Sequence, residues 1–507
     1  MEEAAKQRVT PAEAVQIARS WQEQGRLAEA QMLYERILSV EPDQAEALHF
    51  LGLLRYQLGA REAGIALVRR ALAADPQYAA AHSNLGNMLL EQGDLSGAEA
   101  AYRQALDLDA ALLDAQNNLG LVLRRQGRLA EAESHYRQIL TQHPDHPLTL
   151  NNLGQLLAAK GELEAAVDCF QRAAAREPRF SEAWKNLGQA LVQLQRPEEA
   201  LEAYQQAVAA GADAYLELAN ALRDQGLVEE AIAAYRKVLA IGGRQPTAFH
   251  SLGMLLNAQG REKEAAQVFQ QWLDWDPENP VAAHLLAASL GKETPPRASD
   301  AYVESIFDGF AKAFDQRLQN LEYRAPDLIA EQVRRCCGEP AAQLRILDAG
   351  CGTGLCAPQV RPFARTLVGV DLSAKMLAQA ERRGGYDQLI RAELTAFLEG
   401  CAQDFDLIIS ADTLVYFGDL RPVLQAAKKA LKPGGYLLFT LEQSEGTGFS
   451  LQGHGRYGHS RSYLTATCAE AGLRLEDLAT VVLRLEMGKP VSGWLCCVRK
   501  PTEASYG

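Results

Sequence analysis

Residues 345–354 read RILDAGCGTG, a short apolar run that meets an acid, Asp348, and then three glycines at alternate positions. Arg345–Gly350 has the length and composition of a buried strand. Gly350, Gly352 and Gly354 let the backbone turn tightly and approach a ligand closely. The spacing is G-x-G-x-G, not the G-x-G-x-x-G of a dinucleotide site, and the loop lacks the lysine of a phosphate-binding P-loop. The next apolar run, LVGVDLS, ends its strand on Asp371, where a carboxylate can accept both hydroxyls of a ribose. The expected ligand is adenosine-like and need not carry a pyrophosphate.

Downstream, short apolar strands alternate with helical stretches, the signature of a parallel sheet wound with helices. The strands read as Arg345–Gly350, Thr366–Asp371, Leu389–Glu393, Phe405–Asp412 and Gly435–Glu442, with an antiparallel pair at Thr480–Glu486 and Val491–Arg499. With LDAGCGTG, DLSAKMLAQA, FDLIISADTLVYFGDL and LKPGGYLLFT in this order, residues 301–500 resemble a class I S-adenosylmethionine-dependent methyltransferase of α/β, Rossmann-like fold. The resemblance implies S-adenosylmethionine as cofactor and S-adenosylhomocysteine as product. It implies that Asp348, Ala349, Gly350, Cys351, Gly352 and Gly354 line the cofactor and that Asp371 binds its ribose. Leu372, Met376, Ala392 and Glu393 lie near the adenine, and Asp412 and Tyr416 face the methyl group and the acceptor. Glu393 also reads as a surface acid, and Asp412 and Tyr416 as groups closing the pocket.

The segment EQSEGTGFSLQGHGRYGHSRSYL (442–464) is polar and glycine-rich, and it follows the fifth strand, where this fold places substrate contacts. It concentrates His454, Arg456, Tyr457 and His459. Either histidine can serve as a proton acceptor, and Arg456 and Tyr457 are candidate acceptor contacts. Ser460 alternatively caps the following helix and the segment is a connection. The expected chemistry is direct in-line transfer, with no metal and no covalent enzyme intermediate.

Upstream, 291–300 (GKETPPRASD) reads as a linker. Tyr302, Ile306, Phe310 and Phe314 then recur at helical spacing, a stripe that reads as core; in the methyltransferases this stretch resembles, a segment like Phe307–Asp315 alternatively lids the cofactor.

The first half of the chain is periodic. Small residues recur at Ala30, Gly64, Ala98, Ala132, Ala166, Ala200, Ala231 and Ala265, mostly 34 apart, each followed four positions later by an aromatic or apolar residue. Leu-Gly pairs precede them, and glycines such as Gly93 and Gly127 fall where a helix ends. The small residues allow the two helices of a unit to approach, and the aromatics are expected to fill the space between units. This pattern resembles the tetratricopeptide repeat: an all-α solenoid of eight helical hairpins and a closing helix, spanning 11–290. The unit from Ala212 is three residues short, which predicts a local distortion. The whole chain is similar to bacterial methyltransferases that carry such repeats.

Asn84, Asn118, Asn152 and Asn186 share one repeat position that faces the concave groove in this family. An asparagine amide both donates to and accepts from a peptide backbone, so the series suits a protein or peptide partner. The plain alternative is that Asn supports the hairpin. Residues 1–292 carry 27 Lys+Arg against 38 Asp+Glu, which argues against nucleic acid as a ligand. The nine cysteines include no C-x-x-C, so reduced thiols are expected, and no apolar run suggests a membrane span or secretory leader. Cytoplasmic residence is expected. The leading expectation is a methyltransferase whose repeats recruit a protein or peptide. The alternatives are a small-molecule methyltransferase docked by its repeats to a partner protein, and a non-catalytic cofactor-binding scaffold.

Overall fold

The computed structural model describes residues 9–502 except 212, 243, 292–293, 312–313 and 487–488, and leaves out the side chains of Phe310, Arg317 and Asn320. It divides into two compact units, Met1–Ala231 and Ile232–Gly507. Composition places a boundary instead at 291–300.

The first unit is a succession of antiparallel helix pairs, beginning with Pro11–Glu23 and Leu27–Val40. Thr10 starts the first helix with a reciprocal cap: its hydroxyl accepts from Glu13 N–H and the Glu13 carboxylate accepts from Thr10 N–H. Later pairs reuse one packing device. A Cβ on Gly120 would sit 2.4 Å from the ring of Tyr136, and one on Gly86 2.6 Å from that of Tyr102. Gly120 lies on helix Leu113–Arg125 and Tyr136 on Leu129–Gln142, so the ring lies on the glycine of its own hairpin. The aromatic therefore closes its own hairpin and also fills the space between units, as the sequence suggests: Tyr34 stacks on Phe50 of the next unit with centroids 6.3 Å apart. The short repeat loses its residues from one helix: Tyr215–Asp224 has 10 residues where its counterparts have 13.

The second unit begins inside helix Val228–Gly242 and continues through the helices Pro246–Ala258, Glu262–Trp275 and Pro280–Leu290. Among the described residues its sheet has nine strands: β1 Leu344–Ala349, β2 Ala364–Asp371, β3 Gln388–Arg391, β4 Phe405–Ser410, β5 Leu431–Gln443, β6 Phe449–Leu451, β7 Tyr457–His459, β8 Arg474–Glu486 and β9 Lys489–Arg499. The order is β3-β2-β1-β4-β5-β7-β6, with β9 antiparallel to β5 and β8 antiparallel to β9. β1 pairs in parallel with both β2 and β4. The chain reverses its direction of travel between them, which opens a crevice at their carboxyl ends. Both faces of the parallel strands are covered: Ile346, Leu407 and Ile409 are completely buried on one, and Leu347 and Ile408 are buried on the other.

The segment expected to be a linker is pinned to this sheet domain. Gly418 and Asp419 N–H donate to Pro296 C=O at 2.9 and 2.8 Å, and Ala298 N–H donates to Tyr416 C=O at 2.8 Å. Among the described residues no helix is long and apolar enough to cross a membrane.

Candidate functional site

The crevice at the ends of β1, β2 and β4 is a cavity lined on one side by Asp348, Gly350, Cys351, Gly352, Asp371, Leu372, Ala392 and Glu393. The loop after β1 is anchored from β2: Gly350 and Cys351 N–H donate to Val370 C=O at 2.8 and 3.0 Å. At Gly350 a Cβ would meet Thr413 Oγ1 at 2.0 Å, so only glycine brings this loop so close to β4. Asp371 accepts from Gly352 N–H (2.9 Å) at one oxygen and from Ser373 N–H (2.8 Å) at the other. Each oxygen keeps a second lone pair, so the carboxylate is held in place yet able to accept two ribose hydroxyls. With the apolar Leu372, Ala392 and Leu394 beside it, the cavity fits an adenosyl group.

Asp348 is buried and accepts from the Tyr386 hydroxyl at 2.6 Å. Burial pushes its pKa up to about 7 against that hydrogen bond. Glu393 lines the cavity, but its carboxylate also caps helix Leu394–Glu399, accepting from Thr395 and Ala396 N–H. Ala349, Gly354 and Met376 are not among the lining residues; Met376 is fully buried.

Phe307 and Phe314 line the cavity, edge to face with centroids 5.9 Å apart, and Phe307 packs likewise on Tyr416 at 5.5 Å. Phe310, the intervening aromatic of the stripe, has its side chain outside the described residues. Acids flanking these rings tie the segment to the cofactor side. Asp315 accepts from Thr353 Oγ1 and Asp308 from Ser373 Oγ, both at 2.6 Å.

The opposite end of the cavity is charged. Asp412, in a left-handed conformation (φ 52°), has its N–H bonded to Thr440 Oγ1 at 2.8 Å, and that hydroxyl donates back to Asp412 Oδ1 at 2.7 Å. Arg484 reaches Asp412 Oδ2 at 3.4 Å and pairs with Glu442 and Glu486. Arg456 joins the same acids, with Nη1 3.2 Å from Glu442 and 3.0 Å from Glu486. Asp412, Tyr416, Arg456 and Arg484 all line the cavity.

The histidines take other places. His459 is fully buried, its Nε2 bonded to Gly418 C=O at 3.0 Å and its ring against Tyr463, and burial lowers its pKa to about 4. It sits in the core and does not line the cavity. His454 approaches Glu442 at 3.3 Å from outside the lining. Tyr457 is buried and donates to Pro295 C=O at 2.9 Å. Arg484 and Tyr386 lie outside any motif. The one sequence signal for Arg484 is a lone cation in the strand TVVLRLE.

In the first unit, three of the four asparagines donate to the preceding repeat: Asn84 Nδ2 to His49 Nε2 (3.0 Å), Asn118 to Asn87 Oδ1 (2.8 Å) and Asn186 to Asn151 Oδ1 (2.9 Å). All four, Asn152 included, are only partly buried.

Residues 347–439 match the methyltransferase domain family model. Tetratricopeptide repeat models match 22–88, 86–127, 112–176 and, in three overlapping copies, 151–283. Similar proteins include the malonyl-[acyl-carrier protein] O-methyltransferase of Enterobacter lignolyticus, 33% identical over 26% of this chain and 50% of its own. The human mitochondrial ubiquinone biosynthesis O-methyltransferase is 29% identical over 20% and 30%. Human methyltransferase-like protein 27 is 40% identical over 17% and 35%. The chain thus spans half or less of the length of these relatives. The matched domain and the repeat series together make this chain a tetratricopeptide-repeat protein with a C-terminal methyltransferase domain of the S-adenosylmethionine-dependent class.

Proposed function

We propose that the protein transfers a methyl group from S-adenosylmethionine to a protein or peptide recruited by its repeats. The observation that carries the transferase reading is one cavity with an adenosyl-fitting end at Asp371 and a charged, aromatic end at Asp412, Tyr416, Arg456 and Arg484. S-adenosylmethionine supplies an electrophilic methyl on a cationic sulfur when bound. Asp371 and the Gly350–Gly352 loop orient the nucleoside. Phe307, Phe314 and Tyr416 exclude water from the reacting end. Burial raises the pKa of Asp412, opposed by Arg484, which suits this carboxylate to take up the acceptor's proton.

The acidic repeats and the partly exposed asparagine series support a polypeptide partner. A second reading is favoured by the relatives' names, one of which acts on a group borne by a carrier protein. In that reading the acceptor is a biosynthetic intermediate and the repeats hold its carrier or a partner enzyme.

The test is label transfer from methyl-radioactive S-adenosylmethionine into lysate of a source strain lacking the protein, with purified protein added. Label in a discrete polypeptide is expected. Label confined to small molecules overturns polypeptide recruitment. No label, with S-adenosylhomocysteine still bound, leaves a cofactor-binding scaffold.

A further inference from the structure

Arg456 reaches the acceptor end of the cavity from a hairpin tip between β6 and β7, closed by Gln452 N–H donating to Arg456 C=O and Gly455 N–H to Gln452 C=O, both at 2.8 Å. A polar, glycine-rich tip has little side-chain packing of its own to fix it. Besides the pairs of Arg456 and His454 with Glu442 and Glu486, it is held by helices that the sequence assigns to the repeats. Asn257, on helix Pro246–Ala258, donates from Nδ2 to Gly453 C=O at 2.8 Å and to Ser289 Oγ at 2.9 Å. His284, on the closing helix Pro280–Leu290, bonds through Nε2 to Gly455 C=O at 2.9 Å. Burial lowers the pKa of His284, so its ring is neutral and carries the proton on Nε2. The ring stacks on Tyr302 with centroids 3.9 Å apart. A Cβ on Gly455 would lie 2.5 Å from the Tyr302 hydroxyl, and its φ of 86° is a glycine conformation. The tip is therefore held between this helical surface and the Glu442 and Glu486 carboxylates, within the second compact unit.

We infer that Asn257 and His284 are positioning residues of the methyltransferase pocket: by gripping the carbonyls of Gly453 and Gly455 they set the Arg456 guanidinium at its acceptor end. The end of the repeat array is then a working part of the pocket wall. Asn257 stands outside the Asn84 series, at another repeat position, which agrees with a duty toward the hairpin. This inference rests on reading the cavity as the methyl-transfer site; the grip itself is measurable without that reading.

The experiment uses the full chain and compares wild type with Asn257→Ala/His284→Ala and with His284→Gln, whose amide N–H reaches the place of Nε2. Limited trypsin digestion with mass mapping follows cleavage after Arg456, and calorimetry follows S-adenosylhomocysteine binding. The double variant is expected to be cut after Arg456 at least tenfold faster than wild type, with cofactor-product affinity within twofold. His284→Gln is expected to stay close to wild type in both. With labelled acceptor in hand, the double variant raises the acceptor KM and leaves the cofactor KM unchanged. Unchanged cleavage after Arg456 overturns the inference. So does faster cleavage at every site with loss of product binding, which reports general unfolding. Failure of wild type to bind S-adenosylhomocysteine instead sinks the reading of the cavity and leaves the cleavage result to judge the grip.

Discussion

Asp348 shows how one carboxyl couples the site to stability. Its ordinary pKa of 3.8 rises to about 7 on burial. Between those values the folded state holds a proton that the unfolded chain has released, so stability falls as pH rises through this window and stays reduced above it. Asn at this position carries no charge and can still accept from Tyr386. Asp348→Asn is therefore expected to stabilise the cofactor-free protein at pH 8 by on the order of 2–4 kcal/mol, raising its Tm, and to stabilise it by about a third as much at pH 5. Scanning calorimetry at the two pH values checks this, and an equal difference at both counts against a buried charge as the cause. That Asp348, Asp371 and Asp412 line the cavity was legible from their places at or near strand ends, and that Tyr416 lines it came from the resemblance alone. The place of His459 was not legible: the carbonyl its ring bonds, Gly418, lies 41 positions back along the chain, so nothing local marks it as core.

At the scale of the helix pair, the glycine under each aromatic decides how close two helices come. Alanine is the better helix former by about 1 kcal/mol. At Gly120, however, the added methyl meets the Tyr136 ring at 2.4 Å, and that ring is completely buried and has nowhere to withdraw. Overpacking of this kind costs about 1–3 kcal/mol, so strain outweighs propensity. Gly120→Ala is expected to lower the urea midpoint of unfolding, and a rise would show that the ring can move. The Leu-Gly pair and the aromatic were readable in the sequence. That they meet inside one hairpin was not, because a 34-residue period does not say which neighbouring helix a side chain touches.

For the molecule as a whole, the asparagine series has two duties to separate. The bonds from Asn84, Asn118 and Asn186 to the preceding repeat tie neighbouring units and fix the amides' orientation. Asn118→Ala/Asn152→Ala is expected to cut label transfer to a polypeptide acceptor at least tenfold at sub-saturating concentration, with S-adenosylhomocysteine affinity within twofold. Unchanged transfer would assign the series to repeat structure alone.

The sequence by itself determined the repeat architecture, the wound sheet and the cofactor loop. Each is written in local chemistry or strict periodicity: turns that need glycine, strands short enough to read, units that cannot bury their apolar faces singly. Only the tertiary structure decided the charged end of the pocket and where the compact units divide. Asp412, Glu442, Arg456 and Arg484 come from four separate segments and meet only once β8 returns along β9 and the β6–β7 hairpin is seated. The grip of Asn257 on Gly453 spans 196 positions, and a bond between a side chain and a distant carbonyl leaves no pattern in the sequence.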